Sequence, residues 1–152
     1  MLNLFKKKSI MLIKHQYKNL LIDLPANWEY ELEQDEQEAC FDPSCQSTLR
    51  LNIIKVIPSD GASNEQNIEA LTGNQQFMTT QNGYLLTKAN YRDSIDSGEN
   101  ITLVSWRLIS NAGYEKIMAV VTYTVLKKEK NSKKEKMIIH LIENSLKNSE
   151  LS

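Results

Sequence analysis

The sequence predicts an α+β domain, an antiparallel sheet of about six to seven strands with helices packed on its faces. Three features lead there. Two long runs, ITLVSWRLIS and YEKIMAVVTYTV, flank Asn111-Ala112-Gly113. Their branched and planar side chains fit a pleated surface, and Asn with Gly supplies turn chemistry. Shorter runs of the same kind, separated by Pro, Gly, Asn and Asp, precede them. The chain then closes on a segment whose apolar residues recur at helical spacing.

The hairpin over 101–126 organises the rest. A loop of about three residues ending in Gly at the left-handed position pairs Ser110 with Tyr114. That register sets Thr102, Val104, Trp106 and Leu108 opposite Thr122, Val120, Met118 and Lys116 on one face. Leu103, Ser105, Arg107 and Ile109 then share the other with Ile117, Ala119, Val121 and Tyr123. Both faces are largely apolar, as in central strands covered from two sides. Ser105 and Ala119 leave the second face shallow enough for the final helix. The Trp106 face falls to a thinner helix around Ile68 and Leu71, and either packs fully or leaves a groove of Trp106, Met118 and Val120 that suits an amphipathic partner segment.

Length and composition bound the rest of the reading. A chain of 152 residues makes about one domain and on folding removes roughly 70% of the surface its unfolded form exposes. The domain is expected over 17–147, between an N-terminal tail at 1–16 and a C-terminal tail at 148–152. With 24% charged and 41% hydrophobic residues the composition is that of a globular protein, and a net charge of -1 gives no general pull toward nucleic acid. The apolar stretch from Ile10 to Ile13 stops at Lys14, short of a secretory segment of about 7 to 15 residues. No apolar run approaches the roughly 20 residues that cross a bilayer. A soluble cytoplasmic protein without membrane insertion, monomeric or weakly dimeric, is the expectation. There Cys40 and Cys45 stay thiols.

In chain order, Tyr17 to Leu24 reads as a strand ended by Pro25, and Trp28 opens a second in which Glu29-Tyr30-Glu31-Leu32-Glu33 alternates acid with apolar residue. After a turn at Gln34-Asp35-Glu36 come a short strand, Ala39-Cys40-Phe41, and a longer one from Thr48 to Ile57. Ser63 or Asn64 caps a short helix carrying Ile68 and Leu71 and ending at Gly73. Phe77 and Met78 extend its buried side or make a further helical turn, and a strand from Tyr84 to Tyr91 leads through the polar stretch 92–100 into the hairpin. Ser132 with Glu135 forms a capping box for the last helix, where Met137, Ile138, Leu141, Ile142 and Leu146 make the apolar stripe.

Leu24-Pro25-Ala26-Asn27-Trp28, then Phe41-Asp42-Pro43 ahead of Leu49-Arg50-Leu51-Asn52-Ile53, resembles the opening of proteins with the Mog/PsbP-like fold, and the closing helix with Asn144-Ser145-Leu146-Lys147 is similar to theirs. The resemblance spans roughly Tyr17 to Leu146. It implies an α/β/α sandwich and a binding, assembly or adaptor role. Members include a binder of the Ran GTPase, an extrinsic photosystem II subunit, and bacterial DcrB-like proteins among which are chaperones for secreted effectors. It implies no catalytic motif, and the matched Pro, Trp, Phe and Asp are structural in this light.

The residues themselves point away from catalysis. No nucleophile elbow, zinc-protease helix, P-loop, dinucleotide fingerprint or EF-hand loop occurs. Cys40 and Cys45 alone cannot close a tetrahedral zinc site, and neither His15 nor His140 stands at finger spacing from them, so no metal and no cofactor are expected and each His reads as solvated. The partner is expected to be another protein. It would be held by a sheet face or by the acidic hairpin of Glu31, Glu33 and Asp35, in the manner of an adaptor or effector chaperone. An immunity-type inhibitor whose acid run meets a basic toxin is the alternative, and a small-molecule enzyme a further one.

Overall fold

The computed structural model describes residues 10–57, 61, 63–110 and 115–152, the side chain of Asn64 excepted. It begins with β1 (Leu12–Tyr17) and β2 (Leu20–Pro25), then an antiparallel meander of β3 (Glu29–Leu32), β4 (Glu38–Phe41) and β5 (Thr48–Val56). α1 (Asn64–Thr72) is followed by β6 (Phe77–Thr79), β7 (Leu85–Thr87), β8 (Asn90–Asp96), β9 (Glu99–Ile109) and β10 (Lys116–Leu126). α2 (Lys133–Lys147) and β11 (Glu150–Leu151) end the chain. Among the described residues the strands form an eight-stranded sheet in the order β3-β4-β5-β10-β9-β7-β6, with β8 also on β9, and a three-stranded sheet in the order β1-β2-β11.

β9 and β10 are the middle of the large sheet, as their composition demands, but their register differs from expectation. Thr122 meets Ser105 in place of Thr102, a displacement of three residues. Because side chains alternate along a strand, an odd displacement exchanges the two faces of β10. The Ser110 amide donates to the Ile117 carbonyl at 2.9 Å and the Ile117 amide to Ser110 Oγ at 2.8 Å, so the hairpin closes at this pair. The turn expected at Asn111-Ala112-Gly113 lies outside the described residues. Val104, Trp106 and Leu108 consequently share a face with Ala119, Val121 and Tyr123, while Met118, Val120 and Thr122 join Ser105, Arg107 and Ile109 on the other.

α2 covers the Trp106 face. Ile138, Ile139, Ile142 and Leu146 enter one core with Leu20, Ile22 and Leu24 of β2, Leu49 and Leu51 of β5, and the hairpin residues around Trp106. The small sheet thus shares this face with the helix, which buries more of it than α2 alone could. Ser132 caps α2 by accepting from the Glu135 amide at 3.2 Å. The Glu135 side chain does not reach back to complete the box; it accepts from the Tyr123 hydroxyl at 2.8 Å inside the protein. α1 carries the full capping box instead, between Ser63 and Gln66. It lays Leu71 and Ile68 on Leu85, Ile109 and Met118 of the opposite face, a second and much smaller core.

Three further segments differ from their sequence reading. Phe77–Thr79 is an exposed strand paired with β7, not a helical turn. The polar stretch 92–100 is mostly strand, since β8 runs to Asp96 and returns into β9 through Ser97 and Gly98, both at positive φ as a two-residue hairpin turn requires. Every residue of β8 is exposed, so no buried side chain marks it in the sequence. The expected tails are partly structured: β1 starts at Leu12, and β11 adds Glu150 and Leu151 to the edge of β2.

Candidate functional site: the open face of the large sheet

α1 is too short to cover its side of the sheet, and what it leaves bare is a polar hollow. Asn90 and Arg92 of β8, Leu103, Ser105 and Arg107 of β9, and Val120 of β10 line a cavity of about 230 Å³, with Gln75 beside them. Pairing aligns them: Asn90 stands opposite Ser105, Arg92 opposite Leu103, and Arg107 opposite Val120. Directly opposed residues put their side chains on the same face.

Arg107 is held by the end of α1. Its Nη1 donates to the Leu71 carbonyl at 2.8 Å, and its backbone amide donates to Thr87 Oγ1 at 2.8 Å. α1 has no basic residue in its last turn, so Arg107 supplies from β9 the positive charge that a helix C-terminus favours. Gly73 ends the helix at a φ of 64°, and a Cβ on it would lie 3.1 Å from Arg107 Nη1. Glycine is needed there both for the left-handed conformation and for room beside the guanidinium. The remaining donors of the fork are available to a ligand. Among the described residues neither Arg92 nor Arg107 forms an ion pair, and no acidic side chain lines the cavity. Two uncompensated guanidinium groups over an apolar floor of Leu103 and Val120 suit a carboxylate or another planar anion.

The same face continues to an acidic edge. Glu31 pairs with Ala39, Ala39 with Arg50, Arg50 with Thr122, Thr122 with Ser105 and Ser105 with Asn90, one row across the sheet. Glu31 and Asp35 are exposed and, among the described residues, without ion pairs. Glu33 is tied to Arg50 Nε at 2.9 Å, and Glu36 lies 3.7 Å from Lys18 Nζ. The acid run is thus partly paired, with Glu31 on β3 and Asp35 in the β3–β4 turn left without ion pairs among the described residues.

The residues singled out in the sequence are therefore not one site. Glu31 and Asp35 stand at the acidic edge, and Val120 lies in the polar cavity. Met118 is buried under α1. Trp106 has 0% exposure on the opposite face, its Nε1 donating to Glu143 Oε1 at 3.2 Å, so of the two alternatives the face packs fully and no groove of Trp106, Met118 and Val120 forms. The register shift is the reason. Nothing in the sequence joins Arg92, in the polar stretch, to Arg107; the one signal is that Arg107 is an arginine inside a largely apolar run. His140 is exposed, as expected, but His15 is partly buried against Glu38.

A large antiparallel sheet with α2 and a small sheet on one side and α1 on the other is the Mog1/PsbP-like fold. No protein-family model and no curated protein matches the sequence. Among solved structures, LpqN of Mycobacterium tuberculosis, described as involved in cell envelope biogenesis, is similar with a TM-score of 0.56 at 13% identity, over 95% of this chain and 91% of LpqN. The Saccharomyces cerevisiae Ran-binding protein Mog1p gives 0.52 at 11% identity, over 94% of this chain and 96% of Mog1p. A Bacteroides thetaiotaomicron protein gives 0.57 at 14% identity over 88% of this chain, which spans only 45% of that one. At such identities the likeness is one of fold. No helix among the described residues is long and apolar enough to cross a membrane.

Proposed function

We propose that the protein is a non-catalytic binding module, adaptor-like or effector-chaperone-like and cytoplasmic, that holds another protein on the open sheet face. A partner carboxylate sits between Arg92 and Arg107. The observation that carries this reading is the pair of arginines, without an ion-pair partner among the described residues, in a cavity on the part of the face that α1 leaves bare. The lining offers guanidinium, amide and hydroxyl groups but no general base, which favours holding over turnover. Mog1p, whose name records a protein partner, shares the fold and supports the class of function.

Affinity capture from native lysate, compared between variants, tests it. Arg92 is exposed, so Arg92→Glu leaves the fold intact, and recovery of the partner is expected to fall by roughly tenfold or more, the loss of one charge-assisted contact. Equal recovery by Arg92→Glu and the parent protein sinks the reading. The acidic edge favours the second reading, an immunity-type inhibitor facing a basic toxin. Glu31→Gln with Asp35→Asn is expected to leave stability within about 0.5 kcal/mol. If that variant loses the partner while Arg92→Glu keeps it, the inhibitor reading replaces the first.

A further inference from the structure

β1 of the small sheet packs against the β3–β4 hairpin and brings His15 to Glu38 and Cys40, two residues apart on β4. His15 Nε2 contacts Glu38 Oε1, and Cys40 Sγ lies 3.6 Å from the same oxygen. The ligand-capable atoms of His15, Glu38 and Cys40 all lie within 4.8 Å of one another. The cluster is sheltered: Cys40 is fully buried, and the side chains of His15 and Glu38 are 14% and 15% exposed. The His15 ring stacks on Tyr30 with centroids 3.8 Å apart and planes 9° from parallel, which fixes its orientation. Tyr30 stands directly across from Cys40 in the β3–β4 pair.

One further polar atom lies beside the cluster. Tyr30 Oη is buried without a hydrogen-bond partner, the one such side-chain atom among the described residues. Its ring stacks on His15 and stands across from Cys40, which places Tyr30 in this neighbourhood. An unmet buried hydroxyl costs about 1–3 kcal/mol.

We propose that His15, Glu38 and Cys40 form a binding site for a zinc-class divalent cation that pins β1 to the β3–β4 hairpin. Imidazole, carboxylate and thiolate together suit a borderline-soft ion such as Zn²⁺; the sulfur ligand argues against Mg²⁺ and Ca²⁺. Three protein ligands leave one position for water. On binding, the Cys40 S–H bond breaks, its proton goes to solvent, and the sulfur lone pair forms the bond to the metal, with no change of oxidation state. The site lies off the open sheet face and does not depend on how that face is used. It also reverses the expectation of no metal drawn from the sequence, and a chelator should lower the melting temperature of the metal-loaded protein.

Co²⁺ titration of the full chain carrying Cys45→Ser, so that Cys40 is the sole thiol, tests the proposal. One equivalent is expected to produce a thiolate-to-cobalt charge-transfer absorption and tetrahedral d–d bands, both lost when Zn²⁺ is added. Cys40→Ser in the same background should abolish the charge-transfer band, and His15→Ala should weaken Co²⁺ binding by at least about tenfold. No band at one equivalent, or a band that survives Cys40→Ser, overturns the site. Should Cys40→Ser fail to fold, the near-isosteric Glu38→Gln decides it, with an unchanged Co²⁺ affinity counting against the proposal.

Discussion

Trp106→Ala is expected to destabilise the protein by about 3–5 kcal/mol, the range for truncating a fully buried aromatic residue whose cavity cannot collapse. The indole is wholly enclosed between β9 and α2 and anchored by its hydrogen bond to Glu143. Its neighbours Val104, Leu108, Val121 and Ile142 all belong to well-packed elements of the same core. Relaxation into the void is therefore limited. Urea unfolding monitored by far-ultraviolet circular dichroism measures the loss, and a value below about 1 kcal/mol would show the site to be far less enclosed. In a Trp28→Phe background the Trp106 fluorescence should resist acrylamide until the protein unfolds.

The second large effect lies at high pH. Burial first, then the hydrogen bond to Glu135 and its charge, push the Tyr123 phenol far above the ordinary tyrosine range. The folded protein keeps this proton at pH values where the unfolded chain, with a tyrosine near about 10, releases it. Tyr123 therefore contributes its full stability below about pH 10 and loses it as pH rises, by about 1.4 kcal/mol per unit. Tyr123→Phe should flatten the alkaline limb of the stability profile by that slope. At neutral pH the variant should instead cost about 1–3 kcal/mol, since the buried Glu135 carboxylate loses its donor. Parallel pH profiles for the two proteins above about pH 10 would exclude Tyr123 as the source.

What was legible in the sequence is what propensity and periodicity govern. The hairpin runs, the meander from Glu29 to Val56, the helix at Lys133–Lys147 and the cap at Ser132 all emerge from local patterns. The register of β9 on β10 did not. Both strands are apolar on both sides, so neither face of Val120 or Val121 is marked as inward, and only the turn could set the pairing. A shift of three residues left the fold class untouched yet exchanged the faces, moving Trp106 into the core and Val120 into the cavity. β8 was invisible for the opposite reason, because exposure on both sides removes alternation altogether. Arg92 meets Arg107 through the pairing of β8 with β9, and His15 reaches Glu38 and Cys40 through the packing of one sheet on the other, so the spacing in sequence shows neither.

The small sheet closes the chain on itself. β2 lies between β1 and β11, Leu151 pairs with Leu20, and the Ser152 amide donates to the Asn19 carbonyl at 2.9 Å. On a ribosome, β1 and β2 therefore emerge long before the strand that seals their far edge, and the core behind Leu20 and Leu24 also waits for α2. Contacts of such long sequence separation make folding slow, because loop closure comes before the pairing that rewards it. Until Glu150 and Leu151 have emerged, the nascent domain carries an unsealed β-edge beside exposed leucines, which is the kind of surface that aggregation and holdase chaperones recognise. A chain ended at Asn148 would keep that vulnerability permanently, although every strand of its large sheet is present.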